Sequence, residues 1–288
     1  MTGVFSVNSK NASVSVKIAF QNEAIALSND DNSSVNGYSL VQTLDGISKS
    51  TGYYNYFLDA YPVLTKLSEL TTISDGSENT FFMMDNDTIH SPCLLQKPDY
   101  TPSLYVDNTE YDRNLASEHT INGTALPLNT ADQNTYYHVY MATFMRLGEW
   151  FDYLREKGVY DNTRIIIVAD HGRGDLLQFP VICNNVNMEY CLPLFMVKDF
   201  NTTGFTTNEE FMTNGDTPTI ATSGLIKDPV NPFTGKAINS DAKNGPQRVF
   251  LSNKNINDNT GNTFLPGSWY TVSGNPHDKS SWKYIGDH

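Results

Sequence analysis

Basic residues are scarce: 19 Lys and Arg stand against 32 Asp and Glu, a formal net charge of −13. No basic stripe is available to neutralise phosphates, which argues against a nucleic-acid partner; an anionic substrate would need a metal ion or a few local cations. Cysteine is scarcer still. Cys93, Cys183 and Cys191 are too few for a disulfide scaffold and lack the CxxC spacing of a zinc ribbon or redox motif. Cys183 and Cys191 flank NNVNMEY, leaving two readings open: a short-loop disulfide in an exported protein, or two free thiols. Cys93 follows His90 by three residues but reads as a packed thiol, since Pro92 intervenes and no acid partner is evident. Long apolar runs are missing too. No stretch approaches a membrane span, and Met1 is followed by TGVFSVNSKNAS, without the basic and apolar regions of a signal peptide.

What is present is enough chain, 288 residues, to bury a sizeable core. YYNYFLDAYPVLTKLSEL (53–70) has near-helical apolar spacing, and NTFFMMDNDTIH (79–90) opens with an apolar run between turn formers, so the order reads helix, turn, buried strand, polar loop. Residues 99–134 are polar and irregular. The clearest helix is TYYHVYMATFMRLGEWFDYLREKG, with Tyr137, Met141, Phe144, Leu147, Phe151 and Leu154 as its stripe and Gly158 as its stop. It leads into NTRIIIVADHGRG (162–174), where Ile165, Ile166, Ile167 and Val168 predict a strand hidden on both faces, the pattern of a central parallel strand. CLPLFMVKDF (191–200) supplies another apolar strand, and NGDTPTIATSGLI (214–226) sets Asp216 and Thr217 at a helix start with Pro218 in the first turn.

These elements predict an α/β fold: a mostly parallel central sheet with helices on both faces, in which 165–169 and 80–84 are inner strands. The domain reading is a body over 1–238 and an irregular C-terminal appendage over 239–288, fastened by Trp269, Tyr270 and Trp282. Asp170 and His171 then fall at the carboxyl end of a buried strand, the edge where ligands bind in open α/β sheets. An adjacent Asp and His can both reach one cation if the backbone turns sharply, and Gly172 permits the turn and a close approach. The competing reading has Asp170 capping the strand and His171 hydrogen-bonding locally.

The succession of helix, GVYDNTRIIIVADHG, LPLFMVKDF and DTPTIATSGLI resembles the C-terminal half of the catalytic domain in the sulfatase and alkaline phosphatase superfamily. The similarity is greatest to membrane-anchored sulfatase-like proteins related to lipoteichoic acid synthase and phosphoethanolamine transferases, and covers roughly residues 50–288. The resemblance implies an alkaline-phosphatase-like fold, a phosphate- or sulfate-ester substrate, and a divalent metal ion (zinc, manganese, magnesium or calcium) held by Asp170 and His171. It gives His90, in the loop DNDTIHSP, contact with the transferred or leaving group; an exposed loop histidine is the alternative. Arg173 is a candidate to hold an anionic substrate group, against a solvated surface arginine. The full-length relatives imply membrane anchoring with an extracytoplasmic catalytic domain.

The sequence departs from the family in its first ninety or so residues. These enzymes hold a threonine, serine or modified cysteine nucleophile on the metal, and no Cys-x-Pro-x-Arg stretch occurs here. Ser39, Thr43, Ser48 and Thr51 sit in ordinary polar contexts. The expectation is a chain that begins after the nucleophile and is inactive in isolation. The alternative is a non-catalytic domain that binds an envelope glycan or a protein partner.

Overall fold

The computed structural model describes the chain apart from residues 1, 9–14, 19–38, 43–47, 52–54, 75–79, 91–93, 104, 115–119, 122, 127, 129–130, 175–179, 238–242, 244 and 253–265. Cys93 and Thr43 fall outside the described residues, as do the side chains of Ser39, Ser48 and Thr51. The chain divides into two compact units: Met1–Val168 with Met196–Thr202, and Ala169–Phe195 with Thr203–His288.

The first unit carries a four-stranded sheet in the order Phe195–Lys198, Thr163–Ala169, Thr2–Asn8, Phe81–Asn86. Thr163–Ala169 is buried at every position, as its run of β-branched residues requires. Arg164 keeps a charge inside that strand by donating from Nε to Asp199 Oδ1 at 2.8 Å, with its guanidinium 4.5 Å from the Phe200 ring centroid. Nearby, Lys198 Nζ donates to the carbonyls of Tyr160 and, at 2.9 Å, Thr163, and lies 4.2 Å over the Tyr160 ring. Burial of this ammonium pushes its pKa down to about 8, against the opposing pull of Asp161 and Asp199.

The expected alkaline-phosphatase-like α/β architecture is overturned. Every strand pairing with a described register is antiparallel, from Thr2–Asn8 with Phe81–Asn86 to Ser15–Ile18 with Thr71–Ser74 and Leu95–Gln96 with Thr101–Pro102. Among the described residues the sheets are mostly short antiparallel pairs and helices are few, with no mostly parallel central sheet covered by helices on both faces. Two physical reasons stand out. A wholly buried strand hides both faces whichever way its neighbours run, so burial of the isoleucine run never specified direction. And Phe81–Asn86, expected as an inner strand, ends the strand order, with Phe81 and Met83 59% and 61% exposed while Met84 and Asn86 are buried.

The long helix is Ala131–Glu156, followed by Gly158 at φ +68°, whose N–H donates to Arg155 O at 2.9 Å. That left-handed residue ends the helix without a Cβ penalty. The buried face is Tyr136, Val139, Ala142, Leu147, Trp150 and Leu154, whereas Phe144 and Met145 are exposed. The predicted stripe coincides at Leu147 and Leu154 and is turned by about one residue elsewhere. Adjacent apolar residues leave the rotation of such a helix underdetermined, and the partner resolves it: Val139 and Ala142 pack with Phe57, Tyr61, Leu94 and Leu95. Phe57 and Tyr61 come from Asn55–Thr65, which Leu67–Leu70 follows after a break at Lys66.

The second unit is built around a meander of Gln247–Ser252, Gly267–Val272 and Trp282–Asp287, all antiparallel. Tyr270, Val272 and Trp282 pack with Val181 and Met188 into its core. Trp269, the alternate residue on its strand, pairs instead with Phe250, ring centroids 5.0 Å apart. A tight hairpin joins Ile182–Cys183 to Val186–Asn187 through Asn184 and Asn185, both at positive φ, as a two-residue primed turn demands.

Candidate functional site

Asp170 and His171 open the second unit, where the isoleucine-rich strand stops. Two features stop it. The Asp170 carboxylate Oδ1 accepts the backbone N–H of His171 at 3.0 Å, a local turn that competes with strand pairing. The carbonyls of Ala169 and Asp170 are both taken by the Asn214 side-chain amide, at 2.8 and 2.9 Å. Because both partners are acceptors, the Asn214 orientation is settled: Nδ2 faces them.

Glycine at 172 is required by proximity rather than by an unusual φ. A Cβ there would stand 1.9 Å from Glu189 O and 2.7 Å from Leu192 O, while the Gly172 N–H donates to Tyr190 O at 3.0 Å. Gly174 meets the Tyr190 ring in the same way, with a Cβ 2.6 Å from it, and its carbonyl accepts from Asn187 Nδ2 at 2.7 Å. The turn after the strand is thus pressed flat against the segment Asn187–Leu192.

On this base the two candidate ligands project outward, with 45% of the Asp170 side chain and 60% of the His171 side chain exposed. His171 Nδ1 lies 2.6 Å from Gly172 O. A carbonyl can only accept, so this contact places a proton on Nδ1, and in the neutral ring the lone pair is then on Nε2. Nε2 is 3.6 Å from Asp170 Oδ2. With the ring neutral, a carboxylate oxygen and an imidazole lone pair therefore stand side by side, which is what a divalent cation needs from two of its ligands. The donor set stops there: among the described residues no group of three or more His, Cys, Asp or Glu side chains could hold a metal ion.

Of the other predicted site residues, Arg173 follows directly and is half-buried. His90 belongs to the first unit, exposed in the turn after Phe81–Asn86, with its N–H donating to Asp87 O at 2.9 Å. That turn is organised by Asn86, whose Nδ2 donates to Ala60 O at 2.9 Å and whose Oδ1 accepts Thr88 N–H at 3.0 Å. Cys183 and Cys191 are free thiols, half-buried against the core of the second unit. Burial raises the Cys191 pKa, which keeps it protonated and unreactive.

Sequence reading missed the residues that support the Asp170–His171 turn from behind. Asn214–Asp216 is a short 3-10 turn entering the helix Thr217–Thr222, and Asp216 is fully buried. Its Oδ2 accepts from Lys243 Nζ at 2.6 Å and from Thr213 N–H at 2.8 Å; its Oδ1 accepts from Asn231 Nδ2 at 2.9 Å. Burial pushes the Asp216 carboxyl up, and the bonds from Asn231, Lys243 and Thr213 outweigh it, leaving the group below its ordinary value. The motif NGDTPT announced a helix start, and Asp216 does sit there. Nothing local marked it as buried, because the cation that makes burial tolerable lies 27 residues further along.

Comparison with family models, with curated proteins and with solved structures finds no match for this chain. Among the described residues no helix is long and apolar enough to cross a membrane.

Proposed function

We propose that this chain carries part of a divalent-cation site serving a hydrolase or group transferase that acts on phosphate or sulfate esters of the cell envelope or of polysaccharides. The observation that carries the reading is the contact of His171 Nδ1 with Gly172 O, which in the neutral ring leaves the lone pair on Nε2, 3.6 Å from Asp170 Oδ2. Asp170 and His171 would hold the cation, and oxygen and imidazole donors suit zinc, manganese, magnesium or calcium alike. When bound, such an ion neutralises charge on phosphoryl or sulfuryl oxygens and lowers the pKa of a nucleophile. The residues of this chain do the rest: Gly172 lets the turn lie flat, its carbonyl holds the Nδ1 proton, and the exposed side chains leave the pair open to solvent and substrate. Arg173, in the same unit as Asp170 and His171, is proposed as a contact to an anionic substrate group. Membrane anchoring of a longer parent protein belongs to the same proposal, and the sequence resemblance to sulfatase-like proteins supports it without help from the fold.

Zinc or manganese titrated into the intact chain should bind weakly, in a range where buffer components compete, and His171→Ala and Asp170→Asn should each remove that binding. Titration curves that both substitutions leave unchanged would sink the reading. A second reading, a non-catalytic domain that binds a glycan or protein, is favoured by the donor set of only two described ligands. Metal-dependent turnover of a generic phosphodiester or sulfate ester that Asp170→Asn abolishes would exclude it; the isolated chain is expected to show little or none.

A further inference from the structure

The turn Asn214–Asp216 reaches both the carbonyls beside the candidate ligands and a buried charge pair. We propose that Asn214 is a positioning residue for His171, and that Asp216 with Lys243 is the clamp that fixes Asn214. The inference deepens the proposed cation site and rests on that reading for its functional meaning, though not for its test.

The argument is one of hydrogen-bond accounting. A strand that ends must dispose of its last carbonyls, and here one side-chain amide takes both Ala169 O and Asp170 O, at 2.8 and 2.9 Å. Holding two successive carbonyls by one nitrogen fixes the peptide plane between Asp170 and His171, because that plane contains Asp170 O. The direction in which His171 leaves the chain follows from that plane. So does the approach of its Nδ1 to Gly172 O, which sets the tautomer.

Asn214 can do this only if its own backbone is immobile. Two residues on, Asp216 meets that need with four bonds, including Thr213 Oγ1 to Oδ2 at 3.2 Å as well as those from Thr213 N–H, Asn231 and Lys243. The loops that supply them are fixed in turn. Asn231 Oδ1 accepts the N–H groups of Phe233 and Thr234 at 2.9 and 3.2 Å, and Lys243 Nζ also donates to Phe211 O at 3.3 Å. Lys243 is 17% exposed and the carboxylate it meets is fully buried, so the pair is shielded from the salt screening that weakens surface pairs. Part of this bonding is the capping box between Thr213 and Asp216, and the bonds from Asn231 and Lys243 add to it.

The test reads the His171 ring directly, with no metal present. Protein labelled with nitrogen-15 in histidine is recorded at about pH 8, above the ordinary imidazole range, and the His171 signals are assigned by their loss in His171→Gln. Wild-type protein should show Nδ1 protonated and Nε2 bare. Asn214→Ala should convert the ring to an averaged mixture of both tautomers, and Lys243→Met should shift it the same way to a smaller extent. In each variant the Trp282 indole N–H, which donates to Pro276 O at 2.8 Å elsewhere in the unit, should keep its native position as evidence of folding. An unchanged His171 ring in folded Asn214→Ala overturns the proposal. If Asn214→Ala fails to fold, an unchanged ring in Lys243→Met overturns it instead. A failed metal titration would refute the cation site and leave this result standing, and the reverse holds equally.

Discussion

Two strands of one sheet, Thr163–Ala169 and Phe81–Asn86, are alike in outline and unlike in surroundings. Each has an apolar run, and each is followed by an acid and a histidine. The first is buried at every position; the second alternates, with Phe81 and Met83 exposed and Met84 and Asn86 buried. The difference comes from their place in the strand order, inner against outermost. An apolar run states that a segment can be buried on both faces, and the neighbours decide whether it is. Their ends differ as well. The inner strand gives its last carbonyls to Asn214, far along the chain, whereas the outer one is followed by a turn folded on its own Asn86.

Truncation within the two runs should widen the contrast most. Ile166→Ala, at a position 0% exposed, should cost about 2–5 kcal/mol, whereas Met83→Ala should stay within about 0.5 kcal/mol. Denaturant unfolding of the two variants measures both, and equal losses would show that Met83 is covered in solution.

Gly172→Ala probes the strand end. Its new Cβ would sit 1.9 Å from a backbone oxygen, so the turn must move or the segment Glu189–Leu192 must yield, and we expect a loss of about 1–3 kcal/mol. At the corresponding turn of the outer strand, Asn86→Ala leaves Thr88 N–H and Ala60 O without that side chain, for about 1–2 kcal/mol. A neutral Gly172→Ala would mean that the turn is not pressed against Glu189.

Two titrations should give smaller effects of the same sign, each raising stability with pH in its own window. Asp216 has a folded pKa below its ordinary value of 3.8, so its stabilisation is present above that value and fades as pH falls through the folded one. The stability gap between wild type and Asp216→Asn should therefore shrink below about pH 4. Lys198 has a folded pKa near 8 against an ordinary 10.5, so between these values the unfolded chain holds more protons and the contribution of Lys198 grows with pH. The gap between wild type and Lys198→Met should move in that direction over the window, and a gap independent of pH would show that its ammonium is fully solvated.

Much of the local structure was legible in the residues. The isoleucine run is a buried strand, a long helix precedes it with Gly158 beyond its end, and Asp216 and Thr217 stand at the start of a helix. The pairing of Asp170 with His171 was legible too, since adjacent residues after a strand need only a turn to bring their side chains together. Strand direction was not legible, because a buried strand has the same composition in parallel and antiparallel surroundings. The rotation of the long helix was equally hidden: Tyr136 and Tyr137 are chemically alike, and only the packing of Phe57 and Tyr61 against Val139 and Ala142 selects one face.

What the sequence by itself determined is therefore what neighbours along the chain can settle: where strands and helices can form, where glycine ends them, and that an acid and an imidazole stand side by side. Tertiary structure alone decided the rest. Asn214 reaches Ala169 and Asp170 across 45 and 44 residues, Asp216 finds Lys243 across 27, and Gly172 must be glycine because Glu189 lies against it. Each depends on a partner distant in sequence, and a partner of that kind leaves no mark on the composition or spacing around the residue that needs it.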